Sequence, residues 1–297
     1  MSKGTRIIII LSGLIILAAF ATGMLSRIKP NLFTPDSIGL LRVEGVIIDV
    51  DWYIEQVHSF RDNENVKGVV LRLDTPGGAI APTQELYSEL LKLKENKPIV
   101  TSMGTIAASG GYYLACASDW IVANPGTITG SIGVIMEFMN MEELFSKIGI
   151  KSRVIKSGEH KDMGSPFREL TEEEKRLLGD MVLDTHDQFV NVVLEARPVM
   201  SDEIRPYMDG RVMTGRQAKE LELVDEMGNL ADALVKAAEL AGLPEGPPEV
   251  VEPKRDEGGL LTFLFGQSAG EAVKSIVTQI EDLSGGQREY LQLWRAF

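Results

Sequence analysis

A largely parallel α/β fold is predicted by three features of this chain. Strand-like and helix-like stretches alternate through residues 38–241, an order that sets successive strands side by side with helices covering the sheet. Candidate strands end in glycine-rich turns, at Gly77-Gly78, Gly110-Gly111, and Gly130 with Gly133, where the backbone needs positive φ or a close approach. Asn140 with Glu143, and Thr171 with Glu174, pair a capping residue with an acid three positions on, which marks helix starts.

The elements follow in order. Ile38 to Val50 is β-rich and interrupted at Glu44-Gly45; Asp51 to Phe60 reads as a short helix. Lys67 to Leu73 is a strand running into Asp74-Thr75-Pro76-Gly77-Gly78. Thr83 to Lys94 places Leu86, Leu90, Leu91 and Leu93 at helical spacing. Pro98 to Met103 is a strand, and Ser109 then heads a helix. Trp120 to Ala123, Ile132 to Met136 and Ile150 to Lys156 read as strands. Asn140 opens a helix that stops near Gly149. Thr171 opens a long one, with Leu177, Leu178, Met181, Val182, Thr185, Phe189 and Val193 on one face, ending before Pro198. Arg211 to Met213, a helix from Gly215, Leu221 to Val224 and a helix from Leu230 to Leu240 complete the body.

The flanks differ in composition. Ile7 to Leu25 carry no charge and follow Lys3 and Arg6; that length suffices to cross a bilayer, and the flanking cations favour a cytoplasmic N-terminus. Residues 1–29 therefore read as a cytoplasmic stub and one N-terminal transmembrane helix. Ala19-Phe20-Ala21 leaves open a cleaved signal peptide. Residues 30–37 form a linker, residues 242–259 a second one rich in Pro and Glu, and residues 260–297 an amphipathic tail whose role stays open.

With 43 acidic against 30 basic residues, the net charge is −13, which argues against nucleic acid as a partner. The single cysteine, Cys116, excludes an intramolecular disulfide framework and a Cys-based zinc site; its alanine and leucine neighbours mark it as a small buried hydrophobe.

Ser109 carries the chemistry. It lies among alanines and glycines where a strand yields to a helix, so its hydroxyl meets backbone N–H groups as an acyl-transfer nucleophile requires. Of the three histidines, His58 and His186 fall in predicted helices and read as solvated, which leaves only His160 as a base. Its neighbour Lys161 is the alternative. A lysine serves as base when its amine is neutral at the working pH, which burial beside apolar walls favours.

Several segments, in order, resemble the bacterial signal peptide peptidase A family. They are Asp74-Thr75-Pro76-Gly77-Gly78, Ala107-Ala108-Ser109-Gly110-Gly111-Tyr112-Tyr113, Ala123 to Val134, Lys156-Ser157-Gly158 with Lys161 to Pro166, and Asp209 to Val212 with Thr214-Gly215. The resemblance spans residues 38–241, as one catalytic-fold copy. It implies a crotonase/Clp-protease-like fold of repeated ββα units, with Ser109 as nucleophile, Lys161 as general base, Gly77 and Gly78 at the oxyanion hole, and Ser131 holding the lysine amine. It further implies a serine endopeptidase of the bacterial cytoplasmic membrane with its catalytic domain extracytoplasmic. Substrates would be released signal peptides and unfolded apolar segments, with no metal or cofactor. The implied assembly is a dome-shaped homo-oligomeric ring, an octamer, in which a neighbouring protomer supplies Lys161. An enzyme acting on acyl-CoA thioesters and a non-catalytic membrane scaffold are the rival readings.

Overall fold

A computed structural model describes residues 35–197 and 204–254. Its body is β1 (Ser37–Glu44), α1 (Asp51–Asp62), β2 (Val66–Thr75), α2 (Ile80–Lys94), β3 (Ile99–Ala108), α3 (Gly110–Ala115), β4 (Trp120–Ala123) and β5 (Ile128–Gly130). Then come α4 (Glu142–Lys147), α5 (Glu172–Ala196), β6 (Val212–Thr214), α6 (Gly215–Glu220), β7 (Glu226–Met227), α7 (Leu230–Leu240) and β8 (Glu249–Val251).

One eight-stranded sheet holds these elements, in the order β6-β5-β3-β2-β1-β8, with β4 beside β3 and β7 beside β4. Every pairing is parallel except β5 with β6. The sheet forks along β3. Its first half pairs with β4 from Val100 to Met103, and its second half with β5 from Ile106 to Ala108. The fork delivers Ser109 beside Gly130, the last residue of β5.

The alternation of strand side chains builds two cores. Leu41, Val43, Val69, Leu71, Leu73 and Met103 face α1, α2, α3 and the C-terminal half of α5. Leu40, Val70, Val100 and Val122 face α7, whose Ala233, Ala237 and Ala238 permit close packing. On α2, Leu86, Leu90 and Leu93 are fully buried, and each such burial stabilises by about 1.5–3 kcal/mol. The capping boxes at Thr171/Glu174, Thr214/Gln217 and Asn229/Asp232 all form.

Five expectations are corrected. Residues 132–136 and 150–156 form no strand, because no described segment builds a ladder with them. Asn140 accepts a bond from the Glu142 amide at 2.9 Å, but Glu143 does not reciprocate. Residues 221–224 are turns, and β7 starts after them. Finally, the stretch 242–259 contains β8, which adds to the open edge of β1. A difference of degree appears on α5, where Phe189, Val190 and Val193 are buried but Met181 stays half-exposed.

Residues 7–25 and 260–297 lie outside the described residues. No helix among the described residues is long and apolar enough to cross a membrane.

Candidate active site

Ser109 occupies the turn between β3 and α3 with φ 52° and ψ −120°. A non-glycine residue at such a φ is strained, and such strain persists only where the surroundings enforce it. Here the enforcement comes from both sides. The Ser109 amide donates to the Gly130 carbonyl at 2.9 Å, and the Ser109 carbonyl accepts from the Tyr113 amide at 2.9 Å. The sharp turn places the side chain at the lining of a narrow surface cleft. Gly78, Ile80 and Gly110 line one part of it; Tyr113, Gly133, Val134, Thr185 and Phe189 line the rest. The rings of Tyr113 and Phe189 pack at 5.0 Å between centroids and give the cleft an apolar wall.

Gly77 and Gly78 sit against this turn for different reasons. Gly77 has φ +99°, and a Cβ there would lie 2.6 Å from the Gly110 nitrogen. Its own amide is already engaged, donating to Thr75 Oγ1 at 3.0 Å. A Cβ on Gly78 would collide with the Ile47 carbonyl, since these residues form a β-bridge. The bridge uses Gly77 O, Ile47 N, Ile47 O and the Ala79 amide. That leaves the amides of Gly78 and Gly110 with no hydrogen-bond partner among the described residues. Both belong to residues that line the cleft, and a Cβ placed on Gly110 would come 3.4 Å from Gly78 N. Gly110, at the first position of α3, carries one of the unpaired donors that every helix N-terminus offers. In the sequence Gly110 reads only as part of a glycine-rich turn, because which amides stay unpaired depends on the Ile47 bridge and the Thr75 hydroxyl.

Ser131 lies next to Gly130, with φ 51° and its amide donating to the Arg211 carbonyl at 2.8 Å. It is not among the residues lining the cleft. Lys161 stands apart too. It is exposed on a single 3₁₀ turn, Glu159–Asp162, and does not line the cleft. The structure thus brings together Ser109, Gly77 and Gly78, and places neither Lys161 nor the Ser131 side chain in the same cleft.

The Lys161 turn is tied down by charge. Asp162 accepts from Arg168 Nη2 at 2.8 Å and from Lys156 Nζ at 2.7 Å, and Arg168 continues to Glu174 at 2.6 Å. Hydrogen bonds from Arg168, then Lys156, hold the Asp162 carboxyl well below the usual range. Arg168, then the Thr171 amide, hold Glu174 down to about 2. The Thr171/Glu174 pattern is legible as a cap, but nothing in it signals the second partner, Arg168.

His58 is not simply solvated, since Nε2 meets Glu89 at 2.8 Å; His186 Nε2 meets the Met208 carbonyl at 2.7 Å. Neither lines the cleft. Burial pushes the Cys116 thiol up to about 12, so it is no nucleophile at neutral pH. Among the described residues no cluster of His, Cys, Asp and Glu could hold a metal ion.

Comparison with known proteins gives this geometry a context. The model of peptidase family S49 matches residues 91–244. The chain is 44% identical over 191 residues to a Synechocystis protein named "Putative protease slr0021", covering 64% of this chain and 68% of that one. It is 37% identical over 220 residues to "Putative signal peptide peptidase SppA" of Enterococcus faecium, covering 74% and 63% respectively. It is 33% identical over 225 residues to "Serine protease SPPA, chloroplastic" of Arabidopsis thaliana, covering 75% of this chain and 32% of that longer one.

Proposed function

From the premise that the chain belongs to peptidase family S49, we propose that it is a serine endopeptidase with Ser109 as nucleophile and Lys161, supplied by a neighbouring copy, as general base. One observation carries the reading. Ser109 is held in strained backbone at the head of α3, in a cleft where the Gly78 and Gly110 amides are unpaired. Donors fixed before reaction are the main electrostatic resource of acyl transfer.

The reaction then runs as follows. Ser109 Oγ attacks the carbonyl carbon of a peptide bond while the neutral Lys161 amine takes the hydroxyl proton. The carbonyl oxygen becomes an oxyanion and accepts hydrogen bonds from the Gly78 and Gly110 amides. Gly77 positions both donors without donating itself, because its amide is spent on Thr75. Collapse of the intermediate breaks the C–N bond, and the Lys161 ammonium protonates the departing amine. Water, deprotonated by the same lysine, then attacks the acyl carbon; the bond from that carbon to Ser109 Oγ breaks, and the lysine ammonium returns the proton to Oγ. Ser131 is proposed to steady the lysine amine.

Two features support a base donated by another copy. Lys161 does not line the cleft of its own chain. The segment that carries it also presents exposed apolar side chains, among them Ile135, Met139, Ile148, Val154 and Ile155. Apolar area of this extent on one segment marks a contact surface, and a homo-oligomeric ring would cover it. Residues 7–25 are proposed to anchor the protein in the bacterial cytoplasmic membrane with the catalytic domain outside. The apolar wall of Tyr113, Phe189 and Val134 suits signal-peptide remnants and other unfolded apolar segments. A fluorophosphonate probe tests the nucleophile. It should modify Ser109 in the wild type and nothing in Ser109→Ala, whereas turnover retained by Ser109→Ala would refute the reading.

A further inference from the structure

We infer that Arg168 is a positioning residue for Lys161 that acts through Asp162, an inference that rests on the reading of Lys161 as the base. Local structure alone holds Lys161 poorly. Its turn is a single 3₁₀ helix whose Lys161 N–H reaches the Gly158 carbonyl at 3.3 Å. The preceding residues 150–156 pair with no strand among the described residues. A side chain that must reach a reacting hydroxyl within hydrogen-bonding distance needs firmer support, because an error of about 1 Å costs about 100-fold in rate.

The support comes from the next residue. Asp162 receives Arg168 Nε at 3.1 Å and Arg168 Nη2 at 2.8 Å, and its carbonyl receives Nη2 at 3.3 Å. The same guanidinium reaches Glu174 through Nη1 at 2.8 Å and Nη2 at 2.6 Å. Lys156 closes the turn from the other side, bonding both the Asp162 carboxylate and the Glu159 carbonyl. Glu174, only 2% exposed, belongs to the first turn of α5 and its cap with Thr171. Further along, α5 is buried in the core at Phe189, Val190 and Val193. A continuous path of charge-assisted bonds therefore runs from the core-anchored helix to the residue beside Lys161. A planar guanidinium can bridge two carboxylates at once; an ammonium acts as a point charge and cannot match that fork.

The path also explains why the lysine serves elsewhere. Thr185 and Phe189, both at this chain's own cleft, lie about 16 and 22 Å from Glu174 along α5 at its rise of 1.5 Å per residue. The helix lines that cleft with its second half and braces the donated base at its first turn.

The test uses full-length protein with five variants: Ser109→Ala, Lys161→Ala, Arg168→Ala, Arg168→Lys and Glu174→Gln. Arg168→Ala should lower kcat by about 10- to 100-fold with KM unchanged, and Arg168→Lys and Glu174→Gln should lie between it and the wild type. Subunit mixing then places the defect. Arg168→Ala mixed with Ser109→Ala should regain activity, since the latter donates a braced Lys161 to an intact Ser109; Arg168→Ala mixed with Lys161→Ala should not. Ser109→Ala mixed with Lys161→Ala is the reference. Its failure would sink the donated-base reading and this inference with it. Recovery in the reference, together with wild-type kcat in Arg168→Ala or no rescue of that variant by Ser109→Ala, would overturn the positioning role alone. Should Arg168→Ala fail to fold, Arg168→Lys carries the same mixing test.

Discussion

The Cα of Gly77 abuts the backbone nitrogen of Gly110 so closely that a Cβ would fall 2.6 Å from it. This contact joins the turn after β2 to the turn that carries Ser109, and it sets the two unpaired amides of Gly78 and Gly110 beside each other. The nucleophile and its proposed oxyanion donors are thereby one rigid unit built on adjacent parallel strands.

Gly77→Ala should therefore damage catalysis although Gly77 donates nothing. The methyl group must displace Gly110 N, and φ +99° strains alanine in any case. Loss of one oxyanion donor costs about 10²- to 10³-fold in kcat, and that is the expected fall, with stability reduced by about 1–3 kcal/mol. Steady-state hydrolysis of an unstructured peptide measures the first, and chemical denaturation the second.

Ser109 holds strain that glycine would relieve. Ser109→Gly and Ser109→Ala should both be inactive. Ser109→Gly should nevertheless be the more stable of the two by about 1 kcal/mol, reversing the usual disadvantage of glycine. Thermal unfolding of the two variants decides it, with an expected gap of about 2–4 °C.

Legibility followed locality. Strand β4 and helix α7 match their sequence patterns residue for residue, because β4 is a short apolar run and α7 an amphipathic stretch opened by the Asn229 cap and closed before Gly242. Strands β2 and β3 run beyond their apolar sequence patterns at the C-terminal ends, where Asp74 and Thr75 and the run Gly104 to Ala108 continue the strands. Residues 132–136 and 150–156 have the composition of strands, but a strand exists only where a neighbour completes its hydrogen bonds, and composition cannot announce the neighbour. The reverse holds for β8, whose Glu249–Val251 lies in a Pro- and Glu-rich run yet finds the free edge of β1. Ser109 and the glycines around it were legible as a turn. The distinction between the occupied amide of Gly77 and the unpaired ones of Gly78 and Gly110 was not, since it depends on Thr75 Oγ1 and the Ile47 bridge.

The exposed apolar segment predicts self-association. Ile135 is 85% exposed and Ile155 wholly so. Ile155→Asp should shift the protein from a multimer to a smaller species in light scattering and abolish hydrolysis. Its circular dichroism should stay unchanged, because neither residue touches the core of its own chain. A wild type that is monomeric at working concentrations and fully active would contradict this.

Acid should loosen the brace on Lys161. With its pKa held near 2 by Arg168, Glu174 binds fewer protons folded than unfolded. Its contribution is complete above the ordinary carboxyl pKa of about 4.3 and is lost as the pH falls from there toward 2. The denaturation midpoint of the wild type should fall more steeply across that window than that of Glu174→Gln. Parallel curves would show that the bond network adds nothing to stability.

The most direct test of the account is to mix Ser109→Ala with Lys161→Ala under conditions that exchange subunits and to assay peptide hydrolysis. Each protein alone should be inactive, and the mixture should recover activity as Ser109 of one chain meets Lys161 of another. A mixture that stays inactive, with exchange demonstrated by differential labelling, would contradict a site shared between copies.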